Sequence, residues 1–166
     1  MDRDKIEREN LKNQPWMDVN IGQSKANVLS SILWKTQGVM CESVNKEIKS
    51  LSDILGNNIL DSHIFVDCFD NHKSRELFDY YAKGHKLPII HAGFSENLFK
   101  CDWQMITSKS SNREPICDRR ELSTIVRLGS TFLSEAVFFY LTKKEKLCYI
   151  VTQLDEIITV EMKKIE

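Results

Sequence analysis

The stretch "HIFVDCFDNHKSR", residues 63–75, sets two carboxylates, Asp67 and Asp70, where an apolar run gives way to a polar, helix-forming one. Two chemistries fit. Asp70, ahead of Asn71-His72, could cap a helix, because a side-chain oxygen there accepts an orphan backbone N–H. It could also hold a divalent cation against a phosphate, since Mg²⁺ is bound through one or two carboxylates plus substrate oxygens. A carboxylate at a helix start suits both. Cys117 is the second candidate. It follows the polar stretch "TSKSSNREPI" and precedes a predicted helix start, with Arg119 and Arg120 behind it. A helix dipole and nearby cations favour the thiolate, so Cys117 reads either as a reactive thiolate or as a cysteine packed under the loop. His91, ahead of Ala92-Gly93 on a strand near the same site, reads as a core histidine with its hydrogen bonds satisfied rather than as a catalytic one.

These residues need elements to position them. "SKANVLSSILWKT" (24–36) has helical apolar spacing and ends at Gly38. "VMCESVNKEI" (39–48) alternates like a strand. "SLSDIL" (50–55) is a short helix stopped by "GNN". "HIFVDCF" (63–69) is a near-continuous apolar run, which predicts a parallel strand buried on both faces. A helix follows over 71–84 with Gly84 just past its end. Strands are expected over 86–95 and 98–106, which would place Cys68 and Cys101 in strands as inert thiols. A long helix is expected over 118–144, with Asp118 and Glu121 as a capping box. Its stripe at 122, 125, 126, 129, 132, 133, 136, 137, 140 and 141 is core, with the Phe132–Leu141 part either core or a dimer face. Two strands, 147–154 and 157–165, close the chain around a turn at Asp155-Glu156. The opening "MDRDKIE" reads as the end of a strand whose beginning is missing. Strands alternating with helices and then paired strands predict a three-layer α/β fold with a mixed sheet.

The 166 residues match one domain over 1–166, and 42% apolar content suffices for a core. A net charge of −1 with scattered basic residues argues against nucleic acid. The charged start is unlike a signal peptide, and no stretch is expected to span a membrane. Five scattered cysteines, an odd count without C-x-x-C, point to reduced thiols in the cytoplasm and to no structural zinc site. The six glycines make no G-x-G-x-x-G, so no phosphate-cradling loop is present in these residues.

Taken together, "DRDKIERENLKNQPW" with "VNIGQSKA", "VDCFDNHKSR" and "LPIIHAGFSENLFKCDW" resemble the motifs of the ThiF/MoeB/ubiquitin-activating-enzyme superfamily, in the same order. "CDRRELSTIVRLGSTFLSEAVFFYL" is similar to the Cys-containing loop and long helix of some bacterial members. The resemblance implies a Rossmann-like ThiF-type fold, truncated at its N-terminus, with antiparallel C-terminal strands. It implies ATP- and Mg²⁺-dependent adenylation of the C-terminal carboxylate of a ubiquitin-like or sulfur-carrier protein, by a homo- or heterodimer. By the same match Asp2 would bind the ribose hydroxyls, Asn10 and Lys25 would face the phosphates, and Asp70 would hold Mg²⁺. Asp67 would support the strand end, with Asn71 and Arg75 steadying the turn. Asn13 stands at a nucleotide-binding position where the family often has Arg, and a short neutral side chain weakens that role. The alternative is a catalytically inactive ThiF-like subunit that binds a partner without turning over ATP.

Overall fold

The computed structural model describes residues 1–12, 14–55, 63–95, 97–104, 122–154 and 157–165. Asn13, Cys117, Arg119 and Arg120 lie outside these residues. So do the expected capping box at Asp118 and Glu121, the GNN stop and the turn at Asp155-Glu156.

Five strands form one mixed sheet in chain order: β1 (Phe65–Asp67), β2 (Ile89–Ser95), β3 (Leu98–Asp102), β4 (Lys146–Leu154) and β5 (Ile157–Ile165). β1 and β2 run parallel, with Phe65 opposite Ile89 and Asp67 opposite His91. The other pairs are antiparallel. The parallel pair is joined by α3 (His72–Gly84), as a crossover requires. The other helices are α1 (Lys25–Gln37), α2 (Leu51–Leu55) and α4 (Leu122–Lys143), with short 3₁₀ turns at Arg8–Lys12 and Asp18–Asn20.

Alternation along β2 divides two cores. Ile89 packs with Phe65, Tyr81, Ala82, Ile48 and Ile54 on the α2–α3 side. Ile90 and Ala92 pack with Phe99, Cys101, Tyr149, Val151, Ile125 and Ala136 on the α4 side. The expected three layers are therefore present. α3 supplies Phe78, stacked on Phe65 with ring centroids 4.8 Å apart. α4 supplies Phe132, 4.9 Å from the Tyr149 ring.

Several expectations are corrected. Residues 39–48 form no strand. They are extended, and Val44 accepts one backbone hydrogen bond, from the Asp2 N–H at 3.0 Å. An alternating pattern without a full ladder beside it stays an extended segment. The opening residues form a single bridge, Lys5 to Ser24, and no strand. β1 is three residues long and buried on one face: Val66 is 41% exposed while Phe65 and Asp67 are buried. Cys68 therefore lies past β1 and is exposed. Gly84 belongs to α3. The helix closes in a Schellman motif in which Lys86 is the left-handed residue (φ 54°), and Leu87 N–H reaches Ala82 O at 2.8 Å. α1 forms where the apolar spacing predicts it, with Val28 buried, Ala26, Ile32 and Leu33 half-buried and Leu29 exposed. Thr124–Lys143 is long and apolar enough to cross a membrane by length and composition, contrary to expectation. In this fold one face of that helix covers the sheet.

At Gly129, α4 packs directly against Phe99 of β3. A methyl group there would overlap the buried Phe99 ring. Gly129→Ala should therefore destabilise the chain by about 1–3 kcal/mol, although alanine in a helix normally gains up to about 1 kcal/mol. Urea unfolding checks this, and Phe99→Leu in the same chain should recover part of the loss.

Candidate active site

β1 and β2 end side by side, and α3 starts above them. In α/β sheets ligands bind beyond such carboxyl ends. At this edge sits a buried polar cluster. Asp67, the last residue of β1, is fully buried. Its Oδ1 accepts the Phe69 N–H at 2.9 Å, which turns the chain sharply after the strand. Its Oδ2 lies 2.6 Å from His91 Nδ1 on β2 and 3.5 Å from Arg75 Nη1 on α3. A carboxylate accepts at both oxygens, so a hydrogen bond at this contact would be donated by Nδ1–H. Arg75 also donates through Nη2 to Ala92 O at 2.7 Å. Gly93 leaves room for that guanidinium, since a Cβ there would stand 3.1 Å from Nη2. The far nitrogen of His91, Nε2, is buried without a hydrogen bond, 3.4 Å from Asp79 Oδ1. Asp79 Oδ2 in turn pairs with Lys83 at 2.7 Å.

The turn out of this cluster presents Asp70. Asn71 is the helix cap: its Oδ1 accepts the Ser74 N–H at 2.8 Å. The capping reading of Asp70 is thus overturned, because the neighbouring residue does that work. Asp70 is exposed, and its carboxylate takes a 3.4 Å contact from Asn71 Nδ2. Among the described residues no three metal-ligating side chains gather. A single exposed carboxylate fits Mg²⁺, which keeps several waters and completes its shell with phosphate oxygens.

The other expected residues form a second group. Gly22 adopts φ 83°, a conformation glycine reaches without strain. It lets Ile6 and Gly22-Gln23 exchange backbone hydrogen bonds at 2.8 Å just before α1. Ser24 caps α1, so Lys25 opens that helix. Lys25 Nζ stands 3.6 Å from Asp4 Oδ2, and the Asp4 N–H donates to Asp2 Oδ1 at 2.8 Å. Asn10 is buried, and its Oδ1 accepts the Glu7 N–H at 3.1 Å. Asp2 and Lys25 are thus brought together around Asp4, with Asn10 in the same unit. The extended segment links this unit to α3. Glu47 pairs with Arg3 at 2.7 Å, and Ile48 O accepts Ser74 Oγ at 3.5 Å.

Sequence reasoning missed Asp79 and Asp4. The Arg75–Asp79–Lys83 spacing, three charges at i, i+4 steps, was the available signal for Asp79. His91 is the expected core histidine, but satisfied at one nitrogen only.

A family profile, the ThiF family, matches residues 1–135. The chain belongs to the ThiF family. Solved structures agree in fold. A crystal structure of E. coli MccB with ATP superposes with a TM-score of 0.77 at 16% identity, covering 98% of this chain and 54% of that one. The microcin C7 biosynthetic enzyme MccB in complex with N-formylated MccA gives 0.74 at 14% identity, over 97% and 55%. PaaA gives 0.66 at 14% identity, over 96% and 62%. The chain spans little more than half the length of these proteins. No curated protein matches it in sequence.

The four described cysteines are free. Burial pushes the Cys101 and Cys148 thiols up to about 11. The Cys68 thiol is raised as well, by desolvation first and then by the Asp67 carboxylate, although the residue is exposed. A thiol at about 11 carries on the order of a hundredfold less thiolate near neutral pH than an ordinary cysteine. Limiting iodoacetamide at pH 7.5 or so should therefore label exposed Cys41 well before Cys101 and Cys148. Peptide mapping checks the order, and equal rates would mean that β3 and β4 open readily.

Proposed function

We propose that this chain is part of a ThiF-type adenylyltransferase that activates the carboxylate of a peptide or small protein with Mg-ATP. The observation that carries the reading is Asp70: a carboxylate freed from capping by Asn71 and presented by a buried charged framework at the carboxyl end of parallel strands. Family membership supports it, as do relatives of like fold solved with ATP, and with AMPCPP and MccA.

In this reading Asp70 would hold Mg²⁺, which neutralises charge on the triphosphate as pyrophosphate leaves. Lys25 and Asn10 would face the phosphates, Asn13 would lie near them, and Asp2 would accept the ribose hydroxyls. The chain's contribution is positioning and charge, because the acyl carboxylate itself attacks the α-phosphorus. The activated partner would be a peptide like MccA or a ubiquitin-like or sulfur-carrier protein, and Cys117 would take the acyl group from the adenylate as a thioester, with AMP leaving. Site assembly across a dimer, in the cytoplasm, belongs to the same proposal. A second reading has its own observation. Lys25 is already engaged by Asp4, and these 166 residues hold no G-x-G-x-x-G. An inactive ThiF-like subunit that binds a partner without ATP turnover would look the same.

ATP–pyrophosphate exchange with peptides and small proteins of free C-terminus separates the two. Exchange above background supports adenylation, and Asp70→Asn should then lower it roughly a hundredfold or more while leaving the unfolding midpoint in place. Unchanged exchange in that variant would remove Asp70 from the mechanism. Silence with every acceptor, with and without a chain supplying a phosphate loop, would favour the inactive subunit.

A further inference from the structure

The buried ring of His91 belongs to no role assigned so far. It stands on β2, one strand away from the turn that carries Asp70, yet its Nδ1 makes the shortest contact of the Asp67 carboxylate, 2.6 Å. The neighbouring Arg75 contact is 3.5 Å, and the strong bond of that guanidinium goes instead to Ala92 O at 2.7 Å. The other Asp67 oxygen receives the Phe69 N–H at 2.9 Å. A single carboxylate thus couples a ring on β2 to the backbone one residue before Asp70.

We propose that His91 is a positioning residue: through Asp67 it fixes the turn between β1 and α3 and so sets where Asp70 stands. Three features support the assignment. His91 and Asp67 are both fully buried, so no water competes for the contact. They are direct register partners in the parallel pair, so the backbone holds their spacing. Asp79 stands 3.4 Å behind Nε2 and Arg75 beside Asp67, which leaves the ring little freedom to turn away. Without Nδ1–H, Asp67 would lose its best partner and swing toward Arg75, and the Phe69 N–H would lose its acceptor.

The consequence for metal and nucleotide rests on the adenylation reading, but the geometric claim does not. The first measurement is amide exchange at Phe69 by NMR in the full chain, with urea unfolding to confirm that each variant is folded. Asparagine can place an N–H where Nδ1 lies, whereas glutamine reaches only the position of Nε2. His91→Ala and His91→Gln should each lower protection at Phe69 about tenfold, the size expected of one hydrogen bond. His91→Asn should keep it. Protection that survives in His91→Ala overturns the proposal. So does equal loss in His91→Asn and His91→Ala, which would make the ring mere filling. The imidazole ¹⁵N spectrum of the unaltered chain needs no variant: an Nδ1–H signal supports the proposal, and an Nε2–H tautomer refutes it. Where the unaltered chain shows pyrophosphate exchange, His91→Ala should raise the Mg²⁺ concentration for half-maximal exchange, and His91→Asn should restore it. Absence of exchange in the unaltered chain counts against adenylation alone, because the NMR arms still decide the role of His91.

Discussion

Everything at the carboxyl edge of this sheet depends on Asp67. A fully buried carboxylate is costly unless its oxygens are matched by donors. Here the donors come from three places: the Phe69 backbone in the turn, His91 on β2 and Arg75 on α3. Each donor satisfies the charge, and the charge in turn locks each element. Removing one partner would leave the others as uncompensated buried groups, which is the expensive way to break such a cluster. That mutual dependence anchors the start of the turn that carries Asp70.

The parallel pairing of β1 with β2 makes this possible. It places Asp67 opposite His91 and brings both strand ends to the same edge. A parallel pair also needs a crossover, so α3 must start above that edge. Arg75 and Asp79, one turn apart, then point at the strand ends from the helix. Farther along the same helix the buried positions become Tyr81 and Ala82, and the contact turns apolar. One helix face thus supplies charge where the site lies and hydrophobic packing where it does not. The antiparallel strands complete the support: β2 continues into β3 and β4, and α4 covers them, so His91 sits on a strand held from both sides.

Much of this was legible in the sequence. Asp67, Asp70 and Arg75 stood in one short run, and the strand–helix–strand order around them follows from apolar periodicity. Asp79 was hidden because a solvated i, i+4 partner for Lys83 is a complete explanation of it, and only the fold brings β2 within reach. Residues 39–48 misled because alternation reports a face and not a neighbour. Val44 has its one backbone partner in Asp2, and the segment serves as a tether between the N-terminal residues and α3. Gly84 misled for a local reason. A glycine near a helix end predicts the left-handed residue, but Lys86 takes that conformation, where Leu87 can close the motif and pack on the core. The resemblance singled out Asn10 and Lys25, and the structure adds Asp4 between Lys25 and Asp2.

That added pair bears on how the proposed site would load. Lys25 is largely covered and Asp4 is half exposed, with 3.6 Å between their charges. A partly exposed pair at that separation is worth roughly 1 kcal/mol or less, and less in salt. A triphosphate carries several negative charges and offers the ammonium more than one oxygen. In the proposed site it would attract the ammonium more strongly than a single carboxylate does. In the adenylation reading Asp4 would orient Lys25 without trapping it, because so weak a pair would yield to a phosphate. The contrast with Asp67 is physical. One aspartate is buried and held by three donors, so it fixes a turn. The other is exposed and weakly paired, so it can release its partner.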